Sequence, residues 1–326
     1  MFRILRQHHL LSYLLLVVLS VLLRLRFLLH PPAADQLHGF DTASFFRFPY
    51  LNTLYHYSPL VFQLVSLFII LGTGFYLNYR LHQEKLWEQK SLIPVFTLLA
   101  AGSISPSPLI ISVYFFSALC LMLALLSVMK LGHAPKCGPA IFNVGVWIAI
   151  ACCFSIQSLL LFPAFLLLLS VVRPFSLKEL MTLFLGFFTM ICIVLGFGFL
   201  RYGTHLFSRS GFVFPSFPVK TIALIPLVGS ILPLFFLLLM AIMVLNQNTY
   251  RQSMAVRKKW TALSIYLVFS MAAGALSPVY PGLAWIITLL PLSILLSMAF
   301  GHNQEKKNTF TFYFLLLLIG IWQWFL

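Results

Sequence analysis

Residues 141–169 read IFNVGVWIAIACCFSIQSLLLFPAFLLLL, an apolar stretch interrupted mainly by a short polar break at residues 155–158. Apolar runs of about 17–25 residues suit helices that cross a bilayer, whereas strands of a membrane barrel alternate polar and apolar residues over about ten positions. The break begins between two predicted runs, 139–153 and 156–172. The stretch therefore predicts two membrane helices joined by a tight turn.

The rest of the chain repeats this pattern. Of its 326 residues, 61% are hydrophobic and only 8% are charged, which leaves too little polar surface for a water-soluble globule. The sequence predicts a single transmembrane domain, 1–326, that is an all-α, polytopic bundle of about eleven spans with repeated helical hairpins. The predicted spans are 10–29, 58–78, 91–102, 109–129, 139–153, 156–172, 180–200, 221–245, 261–278, 283–300 and 310–326. Two of them, 91–102 and 139–153, are short enough to be re-entrant or to need extension by neighbouring residues.

The distribution of Lys and Arg predicts the orientation. With the N-terminus in the cytoplasm, 15 of the 21 Lys and Arg residues fall in cytoplasmic loops. This is the pattern of the positive-inside rule, so the formal charge of +15 reflects membrane topology and not nucleic-acid binding. The remaining six lie outside or at the outer interface: Arg24, Arg26, Arg47, Arg201, Arg209 and Lys220.

The cytoplasmic loops also hold all four glutamates. Glu84, Glu88, Glu179 and Glu305 are mixed with lysines, which predicts a solvated surface of helical i,i+4 neighbours. Trp260 follows a basic cluster and is predicted to anchor the chain at the membrane interface. No catalytic chemistry is expected from these residues.

Two predicted outer turns have similar sequences. Residues 100–106 (AAGSISP) and 272–278 (AAGALSP) share five identical positions and one conservative one. They indicate either an internal duplication or simply two favourable turns. A functional interpretation is that these hairpin tips line a shallow outer cavity. The tip residues are Ser105, Pro106, Ser277 and Pro278.

The first outer loop, residues 30–57, holds the only two aspartates, Asp35 and Asp41. A single carboxylate can serve as a general base, so both are candidate catalytic residues. Alternatively, Asp41 precedes TASFFRF and can cap a short interfacial helix. Basic outer residues could bind a lipid phosphate or substrate through charge-assisted hydrogen bonds. They are Arg47, Arg201, His205 and Arg209.

Metal binding is not predicted. His38 and Asp41 can share a helical face, but no third ligand has a recognisable spacing. The five cysteines include no CxxC pair, and no disulfide is expected. The glycine pairs Gly72/Gly74 and Gly196/Gly198 lie within predicted helices and indicate packing or kinks, since no strand or phosphate-loop lysine accompanies them.

Four segments between about 78 and 200 carry a resemblance. They are LNYRLH (77–82), SPSPLIISVYFF (105–116), the 141–169 stretch and VRPFSLKELMTLFLGFF (172–188). In their order they resemble an uncharacterised family of polytopic inner-membrane proteins of Bacteroidota. The resemblance implies a bacterial inner (cytoplasmic) membrane and a similar number of helices, and it implies no activity.

A second resemblance concerns the first outer loop. Its acidic residues after the first helix, with basic residues in later outer loops, are similar to the arrangement in GT-C-class glycosyltransferases. That resemblance implies a polyprenyl-phosphate sugar as co-substrate at the outer leaflet. The chain departs from the class because its longest outer loop has only about 28 residues.

Two functions are therefore expected. The leading one is an accessory or structural subunit of an envelope-assembly or surface-polysaccharide system, with membrane lipids and other membrane proteins as partners and no cofactor. The alternative is a GT-C-like enzyme. A transporter is a weaker hypothesis because the predicted span centres hold no ionisable residue, and Gln63, Asn143 and Gln157 lie near span ends.

Overall fold

The described part of the chain is helical. A computed structural model describes residues 10–30, 57–86, 91–103, 110–131, 137–174, 176–202, 238–239, 241–246, 252–275 and 285–301. These ranges contain no β-strand, which confirms the all-α prediction for them. The predicted span 310–326 and most of 221–245 lie outside the described residues.

Each predicted span within these ranges coincides with a helix or a pair of helices. The helices are α1 (Leu10–Leu23), α2 (Leu25–Leu29), α3 (Pro59–Gln83), α4 (Ile93–Gly102), α5 (Val113–Lys130), α6 (Gly138–Phe154), a 3₁₀ helix (Ile156–Leu161), α7 (Phe162–Val172), α8 (Leu177–Tyr202), α9 (Met254–Ala275) and α10 (Ile286–Gly301). The polar break at Ser155 separates α6 from the 3₁₀ helix, as predicted.

The composition of these helices is that of a membrane protein. Among the described helices, α3, α5 and α8 are long and apolar enough to cross a bilayer by length and composition. Five shorter apolar helical segments accompany them, within α1, α4, α6, the joined 3₁₀ helix and α7, and α10. The number of spans and their orientation stay predictions.

Local sequence explains several helix ends. Proline occupies the first turn of α3, α4, α6 and α7, where its missing N–H would have no intrahelical partner. The Ser112 side chain accepts a hydrogen bond from the Phe115 N–H at the start of α5. At the end of α3, Lys85 has a φ of 54° and the Leu86 N–H donates to the Leu81 carbonyl at 3.2 Å. This is a left-handed helix C-terminus of the Schellman type.

Two helices, α4 and α10, are buried along nearly their whole described length. Every residue from 91 to 103, including all of α4, is buried, as is every residue of α10 from 286 to 298. The Thr97 hydroxyl of α4 donates to the Ser293 carbonyl of α10 at 2.8 Å. With ten residues α4 is about 15 Å long, half of the ~30 Å hydrocarbon core, but its burial in protein removes the need to match lipid.

Helices α6 and α8 cross in close contact at two glycines. A Cβ added at Gly145 would lie 2.3 Å from the Leu183 carbonyl oxygen, and one added at Gly186 would lie 2.2 Å from the Phe142 carbonyl oxygen. The two backbones therefore touch directly, which only glycine permits. The glycines singled out from the sequence behave differently: Gly74 packs against Val95, while added Cβ atoms at Gly72 and Gly196 would meet nothing within 4 Å.

Large apolar side chains cover the outside of the described bundle. On α8, Phe197 is 71% exposed, and α1 and α3 carry further exposed leucine, valine, isoleucine and aromatic side chains. Apolar exposure of this extent on a protein with a filled core is typical of a surface that faces lipid or a partner protein.

Candidate functional site

The residues predicted from the sequence as a catalytic or binding site are mostly outside the described ranges. Arg201 belongs to the last turn of α8, but the structure does not describe its side chain. The assignments of catalytic and binding roles to these residues therefore stay predictions. Outside the described residues lie Asp35, Asp41, Arg47, His205, Arg209 and the tip residues Ser105, Pro106, Ser277 and Pro278.

The ion pairs Arg173–Glu179 and Lys259–Glu84 lie at the end of the bundle where α3, α5 and α7 finish and α6 and α9 begin, here named the basic end. The Lys258 ammonium of α9 donates to the Val172 carbonyl at the end of α7, at 3.4 Å. The next residue, Arg173, contacts the Cys137 sulfur before α6 and lies 3.6 Å from the Glu179 carboxylate. These contacts join loops that are far apart in the sequence.

The strongest contact at the basic end is the ion pair between Glu84 and Lys259. The Lys259 Nζ lies 2.8 Å from Glu84 Oε2 and also donates to the Glu84 backbone carbonyl at 3.0 Å. Only 5% of the Lys259 side chain and 10% of the Glu84 side chain are exposed. The pair is largely removed from water, so each charge depends on the other.

Two expectations from the sequence are wrong at this point. Glu84 does not belong to a solvated surface, because its partner is a buried lysine 175 residues away. Trp260 is 1% exposed and belongs to the core, so it is not an interface anchor. The sequence offered a weak signal for the α9 residues alone: in the run RKKW (257–260), successive helical residues point in different directions, so part of the run can turn inward. Nothing near Glu84 marked its partner.

A second buried cation lies near the opposite end. Arg24, at the break between α1 and α2, is 3% exposed. The sequence placed this residue outside or at the outer interface, and the structure shows it covered by protein. Arg24 follows the buried residues Leu16 and Ser20 at four-residue spacing, so it continues the buried face of α1. The sequence of α1 is apolar on nearly every side and does not show which face is covered.

The turn after α6 contains a buried hydroxyl network. Ser117 of α5 donates to the Ala151 carbonyl at 3.1 Å, and its hydroxyl lies 2.5 Å from that of Ser158. Ser155 donates to the Gln157 side-chain oxygen at 3.1 Å. The network holds no ionisable group, and its one carbonyl, that of Ala151, also accepts the Ser155 N–H at 2.9 Å, so the hydroxyls join an already capped helix end to α5. Its role is to fix this turn against α5.

An apolar groove lies between α3 and α5, about halfway along α3. It has a volume of about 440 Å³. The α3 wall includes Ile69, Gly72 and Tyr76, the α5 wall includes Leu119 and Leu123, and Leu290 of α10 contributes to the lining. Reasoning from the sequence missed this groove because it depends on which helices are neighbours.

Known proteins supply no template for these sites. No protein-family model matches the chain, and neither a curated protein nor a solved structure matches it. Within the described ranges, no three His, Cys, Asp or Glu side chains lie close enough together to hold a metal ion. The described chemistry therefore consists of an ion-paired basic end, a hydroxyl-bonded turn and an apolar groove.

Proposed function

We propose that this chain is a multi-pass protein of a bacterial inner membrane and an accessory or structural subunit of an envelope-assembly or surface-polysaccharide system. The observation that carries the proposal is the packing of α4 and α10. Residues 91–103 and 286–298 are buried and include no ionisable side chain. Coupled carriers place costly ionisable groups in the bundle interior, so a filled apolar centre favours a scaffold over a transporter.

The contacts at the basic end support an orientation with that end in the cytoplasm. Glu84 contacts Lys259, and Lys258 contacts Val172, so the loops that follow α3 and α7 meet the start of α9. The charge distribution independently assigns these loops to one side. Since Lys and Arg accumulate in the short loops on the cytoplasmic side of the membrane, the basic end is the cytoplasmic end.

The positions of Ser91 and Ile111 support a crossing of most of the bilayer by the segment that contains α4. The Ser91 N–H, just before α4, donates to His82 Nε2 at 3.4 Å, and the Ile111 N–H, just before α5, donates to the Ser66 hydroxyl at 3.3 Å. Ser66 and His82 are 16 residues apart on α3, which corresponds to about 24 Å along the helix axis. Between these two points the chain therefore travels most of the hydrocarbon thickness.

A GT-C-like enzyme is the competing function, and complementation separates the two. In a deletion strain, Asp35→Asn and Asp41→Asn variants are expressed beside the wild type, and membrane abundance is compared with rescue of the envelope phenotype. For a scaffold, rescue follows abundance for every variant. A variant with normal abundance and no rescue would assign chemistry to the first outer loop and overturn the proposal. Gly196→Leu, at an open and exposed site on α8, serves as the matched control.

The orientation is tested separately with reporter fusions. A reporter that is active only outside the cytoplasm is fused near residue 45 and, in a second strain, near residue 175. Activity is expected from the first fusion and not from the second. The reverse result would place the basic end outside.

A further inference from the structure

The groove between α3 and α5 has the size of a binding site. Its volume of about 440 Å³ falls within the ~300–1,000 Å³ typical of small-molecule sites. Its wall residues on α3 are spaced three or four apart, so they share one helix face, which also carries the exposed side chains of Ile69 and Tyr76. The groove therefore adjoins the apolar outer surface of the bundle.

Glycine keeps this groove open. A Cβ at Gly72 would meet nothing within 4 Å, whereas one at Gly74, on another side of α3, would lie 3.1 Å from a Val95 methyl group. The helix is thus packed against α4 on one side and free on the side of the groove. A slender apolar group can lie beside Gly72 without displacing protein.

A basic residue follows each wall of the groove along its helix, Arg80 on α3 and Lys130 on α5. On α3, Arg80 follows Tyr76 by four residues and Thr73 by seven, and on α5, Lys130 follows Leu126 by four and Leu123 by seven. Each cation therefore lies on the groove face of its helix, about one turn beyond the last wall residue.

The two cations also lie at the same end. The Ile111 N–H, just before α5, donates to Ser66 in the first part of α3, so both helices run from that level towards the basic end. There, α3 ends at the Glu84–Lys259 ion pair. Lys130 is exposed at the last position of α5.

The neighbourhood of Arg80 is arranged for an anion. Its Nη1 donates to the Gln83 side-chain oxygen at 3.0 Å, and the Gln83 amide donates to the Tyr79 hydroxyl at 2.7 Å, which orients the guanidinium. The Arg80 Nε is buried and has no hydrogen-bond partner within the described part of the chain. Because this Nε is closed to ligands, the Nη N–H groups that the Gln83 contact leaves open are the ones suited to a phosphate oxygen.

We propose that this groove binds an anionic phospholipid, with an acyl chain beside Gly72 and the phosphate between Arg80 and Lys130. The charge at the mouth selects an anionic headgroup, and the apolar walls accept the chain. With the orientation proposed above, the lipid belongs to the cytoplasmic leaflet, where anionic headgroups attract juxtamembrane Lys and Arg. The inference rests on the membrane location in the proposed function and is independent of the role in envelope assembly.

The test uses the full chain, purified in detergent, stripped of lipid and titrated with phosphatidylglycerol or phosphatidylcholine under native mass spectrometry. Wild-type protein is expected to bind one phosphatidylglycerol at least about tenfold more tightly than phosphatidylcholine. Arg80→Gln and Lys130→Gln should each reduce that preference by about fivefold. Gly72→Leu, which fills the groove, should weaken binding of both lipids.

Two variants act as matched controls. Lys178→Gln removes an exposed lysine from the start of α8, and Gly196→Leu adds the same side chain as Gly72→Leu at an open site on α8. Both should bind lipid as the wild type does. Equal affinity for the two lipids, or unchanged binding in Gly72→Leu, would overturn the proposal.

A third result would also reject it. If Gly72→Leu lowers the melting temperature or splits a dimer without changing lipid binding, the groove is filled by protein, either another segment of this chain or a second copy. Because binding is measured in detergent, its outcome does not depend on complementation in cells, so this proposal and the proposed function can fail separately.

Discussion

The α6–α8 crossing and the α3–α5 groove use glycine for opposite purposes. At the crossing, Gly145 and Gly186 let two backbones touch, and an added methyl group would overlap a carbonyl oxygen. At the groove, Gly72 leaves an open space, because an added Cβ would have no protein atom within 4 Å. The same residue type therefore closes one helix pair and opens another.

The difference shows that a glycine in a membrane helix has no fixed meaning until its neighbour is known. Between α6 and α8, close approach gives van der Waals contact along the helices, which is the main source of helix association in lipid. The α3 helix is instead held by separate contacts at Ser66, Gly74 and Glu84. Those contacts leave one face of α3 available for the groove.

The largest expected effect on stability comes from separating α6 and α8. Gly186→Leu places a side chain where Phe142 backbone atoms lie, so α6 and α8 must separate. We expect little folded protein, corresponding to a loss of more than about 4 kcal/mol. The measurement is the monodisperse peak in fluorescence-detected size-exclusion chromatography.

Gly196→Leu is the matched control on the same helix and should give a wild-type peak, since its Cβ meets nothing within 4 Å. If Gly186→Leu also gave a normal peak, α6 and α8 would not be in backbone contact, and the contrast with the groove would disappear.

The next largest effect on stability concerns the Glu84–Lys259 ion pair, which holds the end of α3. Lys259→Met leaves the Glu84 carboxylate buried without its ammonium partner, and we expect a loss of about 3 kcal/mol in the free energy of unfolding. Lys258→Met should cost less than about 1 kcal/mol, because Lys258 is exposed and reaches only a carbonyl at 3.4 Å. Reversible unfolding in mixed micelles measures both.

The double variant Glu84→Leu/Lys259→Met sharpens this prediction. Removing both charges should recover part of the loss, because no buried charge remains. If the double variant were as unstable as the two single variants added together, the ion pair would not be the reason for the effect.

The helices themselves were predictable from the sequence. Apolar runs and polar breaks located most described helices to within a few residues, although α9 begins at Met254 and not at 261, and the break at Ser155 fell at the junction of α6 and the 3₁₀ helix. Helix formation in an apolar chain is a local property, since each backbone group must find its partner within the segment. Local reasoning therefore succeeds here.

Contacts between helices were not predictable in this way. Glu84 and Lys259 are 175 residues apart, and nothing local distinguishes Lys259 from Lys258 except the direction in which each points. Likewise, Gly145 and Gly186 carry no sequence mark that separates them from Gly72 or Gly196. Their roles depend on the helix opposite, which a single sequence does not reveal.

A smaller effect on stability distinguishes the packed face of α3 from its groove face. Gly74→Ala puts its Cβ 3.1 Å from a Val95 methyl group, so the helix–helix contact must give way slightly, and we expect a net cost of up to about 1 kcal/mol. Gly72→Ala meets no neighbour and should stabilise the helix by about 0.5–1 kcal/mol. Unfolding in mixed micelles checks the sign of each change. The same sign for both would mean that the two sides of α3 are equally packed.

The smallest expected effect lies at the end of α3, beside the ion pair. Lys85 has a φ of 54°, a conformation that suits glycine, and its side chain is exposed. Lys85→Gly should therefore stabilise the protein by about 0.5–1 kcal/mol, whereas Lys85→Ala, which also removes the charge, should give no gain. If both variants changed stability equally, the effect would come from the lysine charge and not from the backbone. A gain for glycine alone would show that this turn helps to fix α3, and with it one wall of the groove, independently of the Glu84–Lys259 pair.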